Sequence, residues 1–192
     1  MRLQNKQSLC PRCPVWYNAG DIIPFSSSHA PGNLPTVARG LLSKLISGGQ
    51  TGVDRAALDV APGAGLQIGG WCPKGRLAED GVIPMTYALQ ETPSPQYAQR
   101  TRWNVRDADA TLILTRNDPR GGTALTIDTA RHLHKPYRVV DLATNPAPDT
   151  VASWISQEGI IVLNVAGPRE STCPGIYRES FDWLQELLRN RP

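Results

Sequence analysis

From Leu41 onward the chain alternates short apolar runs with segments of helical period, and this alternation narrows its possible folds more than any other feature. The runs are Leu41–Ser47, Leu66–Gly69, Thr111–Thr115 (TLILT), Tyr137–Leu142 and Ile160–Val165 (IIVLNV). Strands that are apolar throughout, rather than on alternate residues, are those covered on both faces. Between them, Val53–Ala61 places apolar residues at 53, 56, 57, 60 and 61, one face of a helix closed by Pro62-Gly63. Pro95–Asp107, a segment capped by Thr123 and followed by Pro136, Asp149–Gln157 and Ile176–Asn190 also read as helices. The pattern predicts an α/β domain, doubly wound on a parallel sheet of about five strands.

A chain of 192 residues with 40% hydrophobic content can bury one substantial core. Residues 1–40 do not join it: they hold five prolines, a run of three serines and no sustained apolar period. They are expected to be an irregular, poorly ordered N-terminal extension to a domain spanning 41–192. Cys10 and Cys13 form a lone CxxC upstream of His29, too few ligands for a zinc site, so no metal site is expected. Four cysteines in this length do not make a disulfide framework.

The net charge of +3, with no basic block interleaved with aromatics, argues against a nucleic-acid surface and suits a small anionic ligand. No apolar run approaches the ~18 residues of a membrane span. No apolar stretch of signal-peptide type follows MRLQNKQS, which makes a cytoplasmic protein the expectation.

In doubly wound folds ligands bind beyond the carboxyl ends of the strands, where strand order reverses. The long excursion from Gly70 to Asp109 is expected to carry the chain across the first strand. Right-handed crossovers then set the Thr111 strand beside the Leu41 strand. The loops leaving these two are Gly48–Gly52 (GGQTG) and Arg116–Thr123 (RNDPRGGT), both Gly-rich and both opening a helix. Glycines admit close backbone approach, and free N–H groups at a helix start attract an anion. Gly48, Gly49, Gln50, Thr51, Gly52, Gly121, Gly122 and Thr123 are therefore candidate phosphate ligands, with charge added by Arg55, Arg120 and Arg116. Neither loop fits the P-loop or the G-x-G-x-x-G spacing, which disfavours a P-loop NTPase and a conventional dinucleotide dehydrogenase.

Two further loops offer contacts. Ala166–Ser171 (AGPRES) brings Arg169 and Ser171. Gly69–Gly81 (GGWCPKGRLAEDG) brings Trp71 as a stacking surface and Lys74 or Arg76 for a phosphate; the alternative is Trp71 in the core and both cations solvated. Asp54, in a helix first turn, repels a phosphate unless Mg²⁺ or a ligand hydroxyl stands between them. His132 and His134 sit at a helix end, where the dipole favours cationic histidine. No catalytic constellation is readable from residue order.

Five motifs in order carry a resemblance: SGGQTGVDRAALDVA, GGWCPKGRLAEDG, RT..NV.DADATLIL, GGT at Gly121–Thr123 and LNVAGPRES..PGIY. Together, over about Leu41 to Leu188, they resemble the molybdenum carrier family. It is a branch of the Rossmann-like superfamily that includes DprA and the LOG-type phosphoribohydrolases. The resemblance implies a Rossmann-like domain, often a homo-oligomer, that binds a small phosphorylated ligand: the molybdenum cofactor as cargo, or a nucleotide. One departure bears on activity. LOG-type enzymes carry Gly-Gly-x-Gly-Thr-x-x-Glu, and where the Glu is expected this chain has Thr126. Asp128 lies roughly 200° further round the helix. The resemblance therefore implies a binding protein without catalytic residues. A nucleotide hydrolase using Asp54 or Asp128, with or without Mg²⁺, and a nucleotide-responsive regulator are the alternatives.

Overall fold

The computed structural model describes residues 42–189. The expectations for residues 1–40, including Cys10, Cys13 and His29, lie outside the described residues. The elements run β1 (Lys44–Ile46), α1 (Val53–Gly63), β2 (Gln67–Gly69), β3 (Trp71–Cys72), β4 (Leu77–Ala78), β5 (Gly81–Val82), β6 (Gln90–Glu91) and α2 (Tyr97–Asp107). They continue with β7 (Ala110–Thr115), α3 (Gly121–His132), β8 (Tyr137–Asp141), α4 (Asp149–Glu158), β9 (Val162–Ala166) and α5 (Ile176–Arg189). None of these helices is long and apolar enough to cross a membrane.

Five strands form one parallel sheet in the order β2-β1-β9-β7-β8. This corrects the expected neighbourhood of β7 and β1: β9 lies between them and bonds to both, pairing Leu45 with Leu163 on one side and Leu112 with Val165 on the other. A conventional doubly wound sheet runs 3-2-1-4-5. Moving its first strand and following helix to the end of the chain turns that order into the one seen here. The last strand thus occupies the sheet's centre.

Leu112 and Leu114 of β7 and Leu163 and Val165 of β9 join one apolar cluster with Val53, Ala57 and Val60 of α1, Trp154 and Ile155 of α4, and Trp183, Leu184 and Leu187 of α5. Alternation along β7 turns Thr111, Ile113 and Thr115 to the opposite side. There α2 packs against α3. The excursion before α2 is not wholly loop. β3 and β6 pair in parallel, β4 and β5 antiparallel, and Cys72, Ile83 and Leu89 build a second small cluster with Leu58 of α1. Asp59 of α1 ties this segment down, accepting from the hydroxyls of Tyr87 and Tyr177 at 2.8 Å each. Burial, and then the hydrogen bond to Asp59, pushes both phenols up to about 12.

Candidate functional site

The loops after β1, β9 and β7 leave the same edge of the sheet and open α1, α5 and α3. A cleft of about 830 Å³ lies there, within the size range of small-molecule sites. Its walls come from Thr115–Thr123 after β7, Ala166–Cys173 after β9, and Tyr97, Arg100 and Thr101 of α2, with Gln50 and Asp54 reaching in from the first loop. Strands β9 and β7 are the pair across which the chain's winding reverses, so the cleft opens at the switch point of the sheet.

Two of the three helix starts are closed by the chain itself. At α1, Val53 N–H donates to Pro168 O at 3.3 Å, Gln50 N–H to the Asp54 carboxylate at 3.3 Å, and Thr51 N–H to the Gln50 side chain at 3.0 Å. A Cβ on Gly52 would lie 2.5 Å from Pro168 O, so the β9–α5 loop is pressed onto this turn. The phosphate role expected for this loop therefore meets amides already engaged by Pro168, Asp54 and Gln50. Gly48, Gly49, Thr51 and Gly52 do not line the cleft, and only Gln50 and Asp54 do. Gly48 has a different use: a Cβ there would sit 1.5 Å from the Arg100 guanidinium. Arg55 is also committed, donating to both carboxylate oxygens of Asp80 and to Gly49 O.

At α5, Glu170 accepts from Gly175 N–H at 2.5 Å and from Tyr177 N–H at 3.0 Å, a carboxylate cap. The start of α3 differs. The helix begins at Gly121 rather than after Thr123, and Thr123 N–H already bonds Arg120 O at 3.1 Å. No side chain caps it, and an added Cβ at Gly121 or Gly122 would meet nothing within 4 Å. Arg120 makes no ion pair among the described residues, whereas Arg116 is held by Glu179.

Arg100 and Asp54 form another part of the wall. Arg100 Nη1 donates to Asp54 Oδ2 at 2.7 Å, with the side chains 13% and 4% exposed. The pairing answers the expected clash between Asp54 and an anion, because a fixed guanidinium stands beside the carboxylate. Arg100 Nε is buried with no protein acceptor. Neither Arg100 nor Glu79 was among the residues expected to matter. Arg100 opened the motif RT..NV.DADATLIL, and Glu79 lay inside GGWCPKGRLAEDG.

The remaining candidates fall in two groups. Arg169 lines the cleft, and Ser171 is turned to Glu79, its N–H donating at 3.1 Å. Trp71, Lys74 and Arg76 do not line it. Trp71 donates from its indole to Asp107 at 2.6 Å and meets Trp103 edge-on, 4.6 Å between centroids. Arg76 is buried and saturated by main-chain carbonyls. Thr126 donates to Gly122 O at 2.9 Å, and Asp128 is exposed near Arg131. Among the described residues no group of three or more His, Cys, Asp or Glu is placed to hold a metal ion.

Residues 45–188 match the family described as "Circularly permutated YpsA SLOG family". The chain belongs to this family. A circular permutation accounts for the central position of β9, since the first strand of the 3-2-1-4-5 order and its loop come last here. A solved structure titled "Putative molybdenum carrier protein", from Syntrophus aciditrophicus SB, is 45% identical with a TM-score of 0.73. The match covers 78% of this chain and 96% of that one. Comparison with curated proteins finds no match.

Proposed function

We propose that this SLOG protein binds and carries a phosphorylated planar ligand, with the molybdenum cofactor as its cargo. One observation carries the reading: of three helix starts at the switch-point edge, only that of α3 is left open, and it faces a cleft of ligand size. The Gly121 and Gly122 amides, the positive end of the helix dipole and the Arg120 guanidinium together suit a phosphate. Charge-assisted hydrogen bonds contribute about 1.5–3 kcal/mol each. A few of them, less the cost of association, give binding of micromolar order, roughly 8 kcal/mol. Tyr97, 39% exposed on the cleft wall, offers the ring face first sought in Trp71. The name of the related structure supports molybdenum cofactor over other phosphorylated rings.

A hydrolase is the second reading, favoured by a buried carboxylate, Asp54, in the cleft wall. Against it, Asp54 is tied to Arg100, and Thr126 stands where LOG-type enzymes have their Glu. The test is a thermal-shift titration with molybdenum cofactor, AMP, ADP-ribose and NAD, with chromatography of each ligand afterwards. A phosphorylated ligand is expected to raise Tm and to be recovered intact. No shift with any of them at millimolar concentration ends the binding reading. Product formation that disappears in Asp54→Asn establishes the hydrolase instead.

A further inference from the structure

The segment between β3 and β6 meets the rim of the cleft at one of its turns. Glu79 stands in the turn between β4 and β5. Its carboxylate accepts from the Thr51 hydroxyl, from the Ser171 hydroxyl and, at 3.1 Å, from Ser171 N–H. Arg169 Nη1 lies 3.7 Å from it. The Glu79 N–H donates to Gln50 Oε1 at 2.9 Å, an oxygen that also receives Thr51 N–H. Thr51 Oγ1 in turn accepts from Glu170 N–H at 3.2 Å. A single residue outside the cleft thereby joins the loop after β1 to the loop after β9. Gln50 and Arg169, one from each loop, line the cleft.

We propose that Glu79 is a positioning residue for ligand binding, acting through Arg169 and the β9–α5 loop. The proposal rests on the binding reading above. The Glu79 side chain is only 16% exposed, so its interactions escape much of the screening that weakens surface pairs. Its turn is fixed from the other side as well, because Asp80 grips Arg55 of α1 with both oxygens. The Arg169 main-chain carbonyl is held by Thr172 and Cys173, while among the described residues its half-exposed side chain forms its ion pair with Glu79. A long cation already held in place loses less rotamer freedom when a ligand arrives. Glu79 thus contributes to affinity without touching the ligand, by keeping a cation and its loop on the cleft wall.

The test compares Glu79→Gln, Arg169→Gln and their double variant in the full chain. Two quantities are read: hydrogen exchange across 166–172 without ligand, and affinity for AMP by calorimetry. Faster exchange in Glu79→Gln is expected, with AMP about 10-fold weaker in each single variant. The double variant is expected to lose no more than either single, the signature of two residues acting as one unit. A purely structural role changes Tm but leaves the two losses independent, so multiplicative losses overturn the proposal. Unchanged exchange, or unchanged AMP affinity in Glu79→Gln, overturns it too while leaving the binding reading intact. Wild type that does not bind AMP at millimolar concentration removes the binding reading for nucleotides, and the proposal with it. Ser171→Ala, which removes one donor and keeps the carboxylate, supplies the same comparison if Glu79→Gln does not fold.

Discussion

Arg76 carries its charge into the interior and pairs with no carboxylate among the described residues. Its guanidinium donates instead to the carbonyls of Ile83, Pro84, Tyr87 and Leu89 at 2.9, 2.9, 3.0 and 3.1 Å. The side chain is a scaffold on which residues 83–89 are wound. Arg76→Ala leaves those carbonyls without their donor, and a loss of about 3–5 kcal/mol is expected in urea unfolding. Arg76→Lys is expected to recover little, because an ammonium cannot span the same fork. Glu79 lends itself to a pH experiment. Burial raises its carboxyl, but the hydrogen bonds from Ser171 and Thr51, then the Arg169 charge, outweigh that and bring it below the usual 4.5. A folded value below the unfolded one means that the contribution is complete above the unfolded value and lost as pH falls through the folded one. Wild type is therefore expected to lose its stability advantage over Glu79→Gln as pH falls below the usual carboxyl value of 4.5, and to keep it unchanged well above that. A constant difference across the whole range contradicts the assignment.

At the scale of elements, a substitution in α3 distinguishes the proposed ligand-binding helix start from a purely structural one. Gly122 lies in its first turn with open space where a Cβ would go. Gly122→Asp is expected to stabilise the fold by about 1 kcal/mol, from reduced backbone freedom and a favourable dipole contact. The same carboxylate repels a phosphate, so affinity for a phosphorylated ligand is expected to fall at least ~10-fold. A variant with higher Tm and undiminished affinity places the anion elsewhere. Within α5, Ser180 is fully buried and its hydroxyl has no partner. Ser180→Ala is expected to be neutral or stabilising by up to about 1 kcal/mol, read from the denaturation midpoint. The elements themselves were legible in sequence: IIVLNV and TLILT are apolar enough to require cover on both faces, and both became strands of the sheet. The Gly-Gly pair between a strand and a helical period marked the place of α3 but not its first residue, which is Gly121 rather than one after Thr123. Closure of the α1 start was not legible, because GGQTG reads identically whether its amides face a ligand or Pro168 O, 3.3 Å from Val53 N. That partner comes from more than a hundred positions away, and local sequence carries no trace of it. Arg76 and Trp71 lie away from the cleft, one on main-chain carbonyls and the other on Asp107, and residue type alone does not foretell that choice of partner.

For the whole molecule, chain order and strand order disagree in a way that has a folding consequence. The sheet's centre, β9, is made last, and until it arrives β2-β1 and β7-β8 are two separate pairs with no hydrogen bond between them. Two-stranded units with one exposed apolar face are marginal in water. The central strand joins the halves through β1 and β7 at once, and α5 then lays Trp183, Leu184 and Leu187 against the cluster that contains α1 and α4. The contacts that complete the core are therefore long-range, with Leu45 facing Leu163 and Ala110 facing the same residue from the other side. Such a topology predicts slow, highly cooperative folding rather than stepwise growth from the first strand. A chain ending at Glu158, which keeps β1, β2, β7 and β8 with four of the five helices, is expected to show no cooperative urea transition. The full chain is expected to show one, with far-ultraviolet circular dichroism and tryptophan fluorescence superimposing. Separate transitions in the full chain, or a truncated chain that unfolds cooperatively, mean that one half of the sheet folds alone. The cleft then forms only when the second half docks, because its two principal walls leave β9 and β7, the strands that meet across that seam.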